Sequence, residues 1–180
     1  MGSGIVVCGL NGSGKSTLGR ALAAALSFHF IDNEDLFFPK KDPDYLYASP
    51  RSREEAEDLL AEEVRRHENF VFAAVKGDYG ECIPALCRCA IYVSTPREIR
   101  LRRIRNRSFQ KFGGRMQAGG DLFAREESFF EMAASRTERY VEDWLQTLNC
   151  PVLRVDGTKP VEENVALILK RIDAMHLSHP

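Results

Sequence analysis

Neither sign of charge is in excess in this chain: 25 lysines and arginines stand against 26 aspartates and glutamates, for a formal net charge of -1. That balance leaves no global field to draw in nucleic acid or an anionic membrane. Long apolar runs are missing too. The first apolar stretch, Ile5-Val6-Val7-Cys8, is soon interrupted by Asn11-Gly12-Ser13, is too short to cross a bilayer and does not read as a secretion signal. The five cysteines (Cys8, Cys82, Cys87, Cys89, Cys150) are an odd number, which predicts reduced thiols in a cytoplasmic protein. Cys82, Cys87 and Cys89 contain no C-x-x-C pair and have no neighbouring histidine, so they read as buried, hydrophobe-like residues rather than zinc ligands. Repeats, low-complexity tracts and linkers are absent. With 44% apolar residues, 1–180 is expected to form one domain with a sizeable core.

What is present begins at Gly9-Leu10-Asn11-Gly12-Ser13-Gly14-Lys15-Ser16, which fits G-x-x-x-x-G-K-[ST] directly after an apolar strand and before an Ala/Leu-rich helix. Glycines let backbone N–H groups turn inward around phosphates, and the following helix adds its positive N-terminal dipole. Asn11, Gly12, Ser13, Gly14, Lys15, Ser16 and Thr17 are therefore expected to bind a nucleotide. Lys15 is placed for the β- and γ-phosphates, and Ser16 for Mg²⁺.

Further along, short β-rich runs alternate with helical ones, which predicts a parallel sheet covered by helices. The expected strands are Ile5–Cys8, Phe28–Ile31, Phe70–Val75, Ala90–Val93 and Val152–Val155, each nearly all apolar. Helices are expected over Ser16–Leu26, from the Ser52-Arg53-Glu54-Glu55 capping box to about His67, from a second box at Thr95-Pro96-Arg97-Glu98, over Leu122–Leu148 and over Val161–Met175. Phe38–Pro50, with three prolines, and Ser108–Gly120, with four glycines, read as mobile loops.

Ligands in such sheets sit beyond the carboxyl ends of the strands, where the second strand runs into Asp32-Asn33-Glu34-Asp35. Asp32 is a candidate for Mg²⁺ or its water, and Asp35 for binding or deprotonating an acceptor hydroxyl; a helix cap or solvated turn is the plain alternative. Lys76-Gly77-Asp78 offers one more carboxylate. Between Arg97 and Arg115 lie eight basic residues against one acid, and Arg100, Arg103 and Arg107 share a helix face. Fixed cations suit a transferring phosphoryl group, although such runs are often solvated helix charge. The flanking Gly113-Gly114 and Gly119-Gly120 pairs make the segment look like a lid.

The phosphate-binding loop, Phe30-Ile31-Asp32-Asn33-Glu34-Asp35-Leu36, the arginine-rich stretch Glu98–Arg107 and the closing Val155-Asp156-Gly157-Thr158-Lys159-Pro160 together resemble the nucleoside monophosphate kinases and shikimate-kinase-like proteins. The resemblance implies an α/β, three-layer P-loop NTPase fold with strand order 2-3-1-4-5. It also implies an acceptor-binding segment within residues 38–67 and a short lid at 108–120. Arg103 and Arg107 match the lid-base arginines near the adenine and phosphates of ATP, and Gly157 would lie beside the adenine. Departures are equally specific. Adenylate kinases carry an acid, then Gly, then Pro-Arg, where this chain has Lys76-Gly77-Asp78-Tyr79, and their monophosphate-gripping arginine is replaced by Leu36-Phe37-Phe38. The Gly-rich turn of shikimate kinases after strand three is absent. A phosphate-bearing acceptor would need other cations, with Lys40, Lys41, Arg51, Arg53 and Lys76 available.

These features predict an ATP- and Mg²⁺-dependent phosphotransferase, monomeric or homodimeric, acting on a small molecule, with a nucleoside monophosphate as first guess. Lys15, Asp32, Asp35, Arg103 and Arg107 are the expected catalytic set, with Ser16 and Asp32 at the metal. Two alternatives stay open: a nucleotide-binding regulator without transfer, and a factor acting on nucleic acid ends.

Overall fold

The structure, a computed structural model, describes residues 3–80 and 82–175; the side chain of Cys82, one of the three clustered cysteines, lies outside the described part. Five parallel strands form one sheet: β1 (Ser3–Cys8), β2 (His29–Asp32), β3 (Asn69–Ala74), β4 (Cys87–Ser94) and β5 (Val152–Asp156), in the spatial order β2-β3-β1-β4-β5. This is the 2-3-1-4-5 order that the resemblance implied. Reversing direction of travel at β1 opens a crevice at its carboxyl end, the place where α/β sheets bind ligands.

Alternation along the strands splits the core in two. Val6, Cys8, Phe70, Phe72, Ala90 and Tyr92 face one layer with Leu60, Trp144 and Leu145, while Ile5, Val7, Val71, Ile91 and Val93 face another with Leu22 and Ile168. Both faces are covered at the centre of the sheet, which is why β1 and β3 read as nearly continuous apolar runs, whereas edge strand β5 alternates and exposes Arg154. The helices are α1 (Lys15–Leu26), α2 (Asn33–Phe37), α3 (Arg53–Arg66), α4 (Cys82–Leu86), α5 (Arg97–Phe112), α6 (Phe123–Ser135), α7 (Arg139–Leu145) and α8 (Val161–Ala174); α5 and α6 pack their buried apolar residues against each other rather than on the sheet. The Ser52/Glu55 capping box forms with both of its hydrogen bonds.

Three expectations need correction. Ser108–Gly120 is not an irregular loop: α5 continues to Phe112 and a 3₁₀ turn follows over Gly113–Met116. Phe112 and Met116 are buried with Ile104, Leu122, Phe130 and Ala133 in a small apolar cluster, and that packing overrides the weak helix propensity of the glycines. The single helix expected over Leu122–Leu148 is broken after Ser135, where Arg136 turns extended and points into the cleft. Thr95 does not cap α5. Its hydroxyl donates instead to the Ser13 carbonyl at 3.0 Å, and Pro96 occupies the cap position.

Cys89 is buried among apolar side chains as expected, and so is Cys8, whereas Cys87 is only half-buried and brings its sulfur to 3.4 Å from that of Cys150. Among the described residues, no helix is long and apolar enough to cross a membrane.

Candidate active site

A cleft of about 430 Å³ opens at the carboxyl ends of the strands. Its floor is the loop from β1 to α1. Gly12 and Gly14 hold left-handed backbone, with φ of 79° and 99°, which side-chain-bearing residues rarely adopt. A Cβ at Gly12 would overlap the Arg100 carbonyl, so the loop also depends on close approach to α5.

The outward-facing carbonyls of this loop are gripped from behind. Arg100, buried at the start of α5, donates to the Asn11 carbonyl at 3.1 Å. Arg103 bridges the Ser13 carbonyl at 3.3 Å and the Gly157 carbonyl at 3.0 Å, and Thr95 adds its bond to Ser13. Carbonyls held away from the cleft leave the first N–H groups of α1 facing it, and these have no intrahelical acceptors. The buried Ser13 hydroxyl has no hydrogen-bond partner in the protein. That hydroxyl does not line the cleft, so the fit to the phosphates of a nucleotide rests on the left-handed glycines and the unpaired N–H groups at the start of α1.

Lys15 lines the cleft beside Ser16, Asp32 and Glu34. Desolvation by the surrounding wall pulls its pKa below the usual lysine value, and the Asp32 carboxylate partly offsets that pull. Asp32 accepts the Glu34 backbone N–H at 3.0 Å and caps α2, so it is both a helix cap and a cleft residue. The neighbouring acids part company. Glu34 lines the cleft, whereas Asp35 does not; its side chain is 57% exposed and pairs with Lys40 at 2.6 Å. Burial would raise the Glu34 pKa, but Arg107 at 4.0 Å and Lys40 at 3.2 Å hold it below the ordinary carboxylate value.

The predicted arginines also separate. Arg107 lines the cleft, and Arg103 lies behind the loop. The Cβ of a residue replacing Gly157 would overlap Thr95 and crowd the Ser13 carbonyl, so the turn after β5 sits directly against the phosphate loop. Of the spare cations, Arg53 and Lys76 face the cleft, Lys40 is tied to Glu34 and Asp35, and Arg51 donates to the Leu36 carbonyl at 2.6 Å. Lys76 pairs with Asp78 at 2.8 Å and lies over the Tyr140 ring.

Several cleft residues have no recognisable sequence signal. Arg136, at the unforeseen helix break, donates to the Asn11 side chain at 2.9 Å. Tyr45 donates to Glu126 at 2.8 Å, and Glu126 is buried. Tyr47 donates to Glu34 and receives Lys111. Burial pushes both phenols well above the ordinary tyrosine pKa, so they stay protonated as donors. The two tyrosines were visible only as part of a proline-rich stretch.

A phosphate-cradling loop between the central strand of a 2-3-1-4-5 parallel sheet and its first helix defines a P-loop nucleotide-binding α/β protein. The family model described as AAA domain matches residues 5–113, and the chain belongs to that family. It is 27% identical over 177 residues to a Bacillus subtilis (strain 168) protein described as uncharacterized protein YqaC, covering 94% of this chain and 97% of that one. Among solved structures it is similar to a gluconokinase from Sinorhizobium meliloti 1021, at 21% identity over 99% and 98% of the two chains with a TM-score of 0.56. A shikimate kinase from Bacteroides thetaiotaomicron aligns at 17% identity over 95% and 98%, with a TM-score of 0.58. At these identities the structural likeness establishes the shared fold.

Proposed function

We propose that the protein is an ATP-dependent phosphotransferase that moves the γ-phosphoryl group to a small, negatively charged acceptor, with a nucleoside monophosphate the first to test. The observation that carries this reading is the make-up of one continuous cleft. Lys15, Ser16 and Asp32 stand at one end, Arg107 and Lys111 reach in from α5, and Arg53, Lys76, Phe37, Phe38 and Tyr79 line the remainder. Aromatic walls suit a flat ring, and cations lining the cleft suit an anionic group beside it once Lys76 and Arg53 exchange their pairing with Asp78 and Glu57 for that group. The identity of the similar kinases supports the same class of chemistry without fixing the acceptor.

In this reading Lys15 and the loop amides hold the β- and γ-phosphate oxygens while the acceptor oxygen approaches phosphorus opposite the departing ADP oxygen. Ser16 and Asp32 would hold Mg²⁺, which when bound neutralises charge on the β- and γ-oxygens. Arg107 neutralises charge developing on the transferred group. Arg103 orders the loop and the turn at Gly157, where the adenine would lie. The acceptor role expected of Asp35 passes to the carboxylates that line the cleft, Asp32 and Glu34. The segment 38–67 forms the acceptor wall and 108–120 the lid.

The nucleic-acid alternative fares less well because five of the eight basic residues of the run are engaged within the protein. Arg97 bonds the Ala134 carbonyl, Arg100 and Arg103 hold the loop, Arg105 pairs with Glu127 and Arg115 with Asp121. The test is a melting-temperature screen of nucleoside monophosphates, sugar acids and polyols with and without Mg-ATP, since a ligand of the native state raises its stability. A stabilising acceptor that is then phosphorylated is expected. ATP binding with transfer to no member of the panel would favour the regulator instead.

A further inference from the structure

Three metal-ligating side chains from two elements meet at the opposite end of the sheet from the cleft. His29 opens β2, Glu63 lies in the last turn of α3, and His67 caps that helix. His29 Nε2 is 2.7 Å from Glu63 Oε2, and His67 Nε2 is 3.9 Å from the same oxygen. One ligand atom from each residue lies within 4.8 Å of the other two. The two imidazoles are stacked, with centroids 3.5 Å apart and planes 10° from parallel. The side chains keep 32%, 31% and 39% exposure, which leaves an entry path and room for water to complete a shell. Arg66 also faces Glu63, but at 3.9 Å from Oε1, the oxygen that the histidines do not use.

We propose that His29, Glu63 and His67 form a binding site for a zinc-type divalent transition ion, separate from the nucleotide cleft. Two imidazole nitrogens and one carboxylate are a borderline-soft set that suits Zn²⁺, Co²⁺ or Ni²⁺, whereas Mg²⁺ takes oxygen ligands. Ligands at about 2.0–2.2 Å in a tetrahedral shell lie roughly 3.3 Å apart. The separations of 2.7 and 3.9 Å bracket that value, but one ion cannot lie in the planes of two parallel stacked rings, so one imidazole must swing out of the stack to complete the site. The ion would join the start of β2, which leads to Asp32, to the end of α3, whose first residue is Arg53. It therefore ties β2 to α3, the helix that ends the proposed acceptor segment, and its effect is on stability rather than on transfer.

The experiment titrates the full chain, stripped of metal, with Co²⁺ alone and with Zn²⁺ alone, in the absence of nucleotide. One equivalent should bind, with the visible bands of low-coordinate Co²⁺, no thiolate-to-metal charge-transfer band, and a higher melting temperature with Zn²⁺. His29→Gln and His67→Gln should each weaken binding by about tenfold or more and remove the melting shift, whereas Cys150→Ser should leave both intact. The parent protein supplies a check that needs no variant: histidine ring resonances of His29 and His67 should move with the first equivalent of Zn²⁺. Undiminished binding in both histidine variants, a thiolate band, unmoved resonances or no stoichiometric uptake would each overturn the proposal and leave His29–Glu63 as an ion pair only.

Discussion

The two walls of the cleft are held by different means. On the donor side, main-chain carbonyls of Asn11, Ser13 and Gly157 are gripped by Arg100, Arg103 and Thr95, so the loop's shape depends on backbone and a few anchoring cations. On the acceptor side, residues 38–52 contain no helix or strand. They are held by side chains: Tyr45 on Glu126, Tyr47 on Glu34 and Lys111, and ring contacts such as Phe38–Tyr47 at 5.0 Å and Tyr45–Phe112 at 5.3 Å. A wall made from backbone recognises what all polyphosphates share. A wall made from side chains changes with each substitution, and under the proposed function acceptor choice belongs there.

The strongest way to break this division is Lys15→Ala, which should lower transfer about 10³-fold while leaving the melting temperature of the ligand-free protein nearly unchanged. Arg107→Ala should lower turnover about 10²-fold with little change in ATP affinity, because its charge matters most when the phosphoryl group is in flight. A loss confined to ATP affinity, measured by titration calorimetry, would place Arg107 with the ground-state loop instead. On the other wall, Tyr45→Phe leaves the buried Glu126 carboxylate without its donor and should cost about 1–3 kcal/mol of stability. Steady-state kinetics should show a raised KM for the acceptor and an unchanged KM for ATP.

The smallest effect is one of pH. The desolvated Lys15 has a lower pKa in the folded protein than in the unfolded chain, so between the two values the unfolded chain binds more protons. Ligand-free stability should therefore rise as pH climbs through that window toward 10.5, the ordinary lysine value. Nucleotide affinity should fall through the same window as the ammonium loses its charge. Lys15→Met should flatten both trends, and parallel melting and calorimetric series would show it.

The strands were legible to within three residues: β1, β3 and most of β4 are buried on both faces and leave nearly continuous apolar runs, while the edge strands β2 and β5 were legible from shorter apolar runs. Their order followed from family resemblance, since periodicity says nothing about which strands adjoin. Local chemistry located Lys15, Ser16 and Asp32. It could not choose between Glu34 and Asp35, because that depends on helix phase: with Asp32 as cap, α2 turns Glu34 into the cleft and Asp35 toward solvent. Arg136 and Glu126 were hidden for a related reason. Glu126 is positioned by packing around Phe112 and Phe130 and by Tyr45, and Arg136 by the break after α6 and its bond to Asn11, none of which a local pattern could reveal. Arg103 was visible as a lid arginine, yet it supports the loop from behind instead of entering the cleft.

The central claim is that one cleft carries a phosphoryl group from a backbone-held donor to a side-chain-held acceptor. Following the label from γ-³²P-ATP, with the acceptor that most stabilises the protein in the presence of Mg²⁺, tests it most directly. The account predicts labelled acceptor formed in step with ADP and lost in Lys15→Ala. Bound ATP that never labels any acceptor, or labelling undiminished by Lys15→Ala, would contradict it.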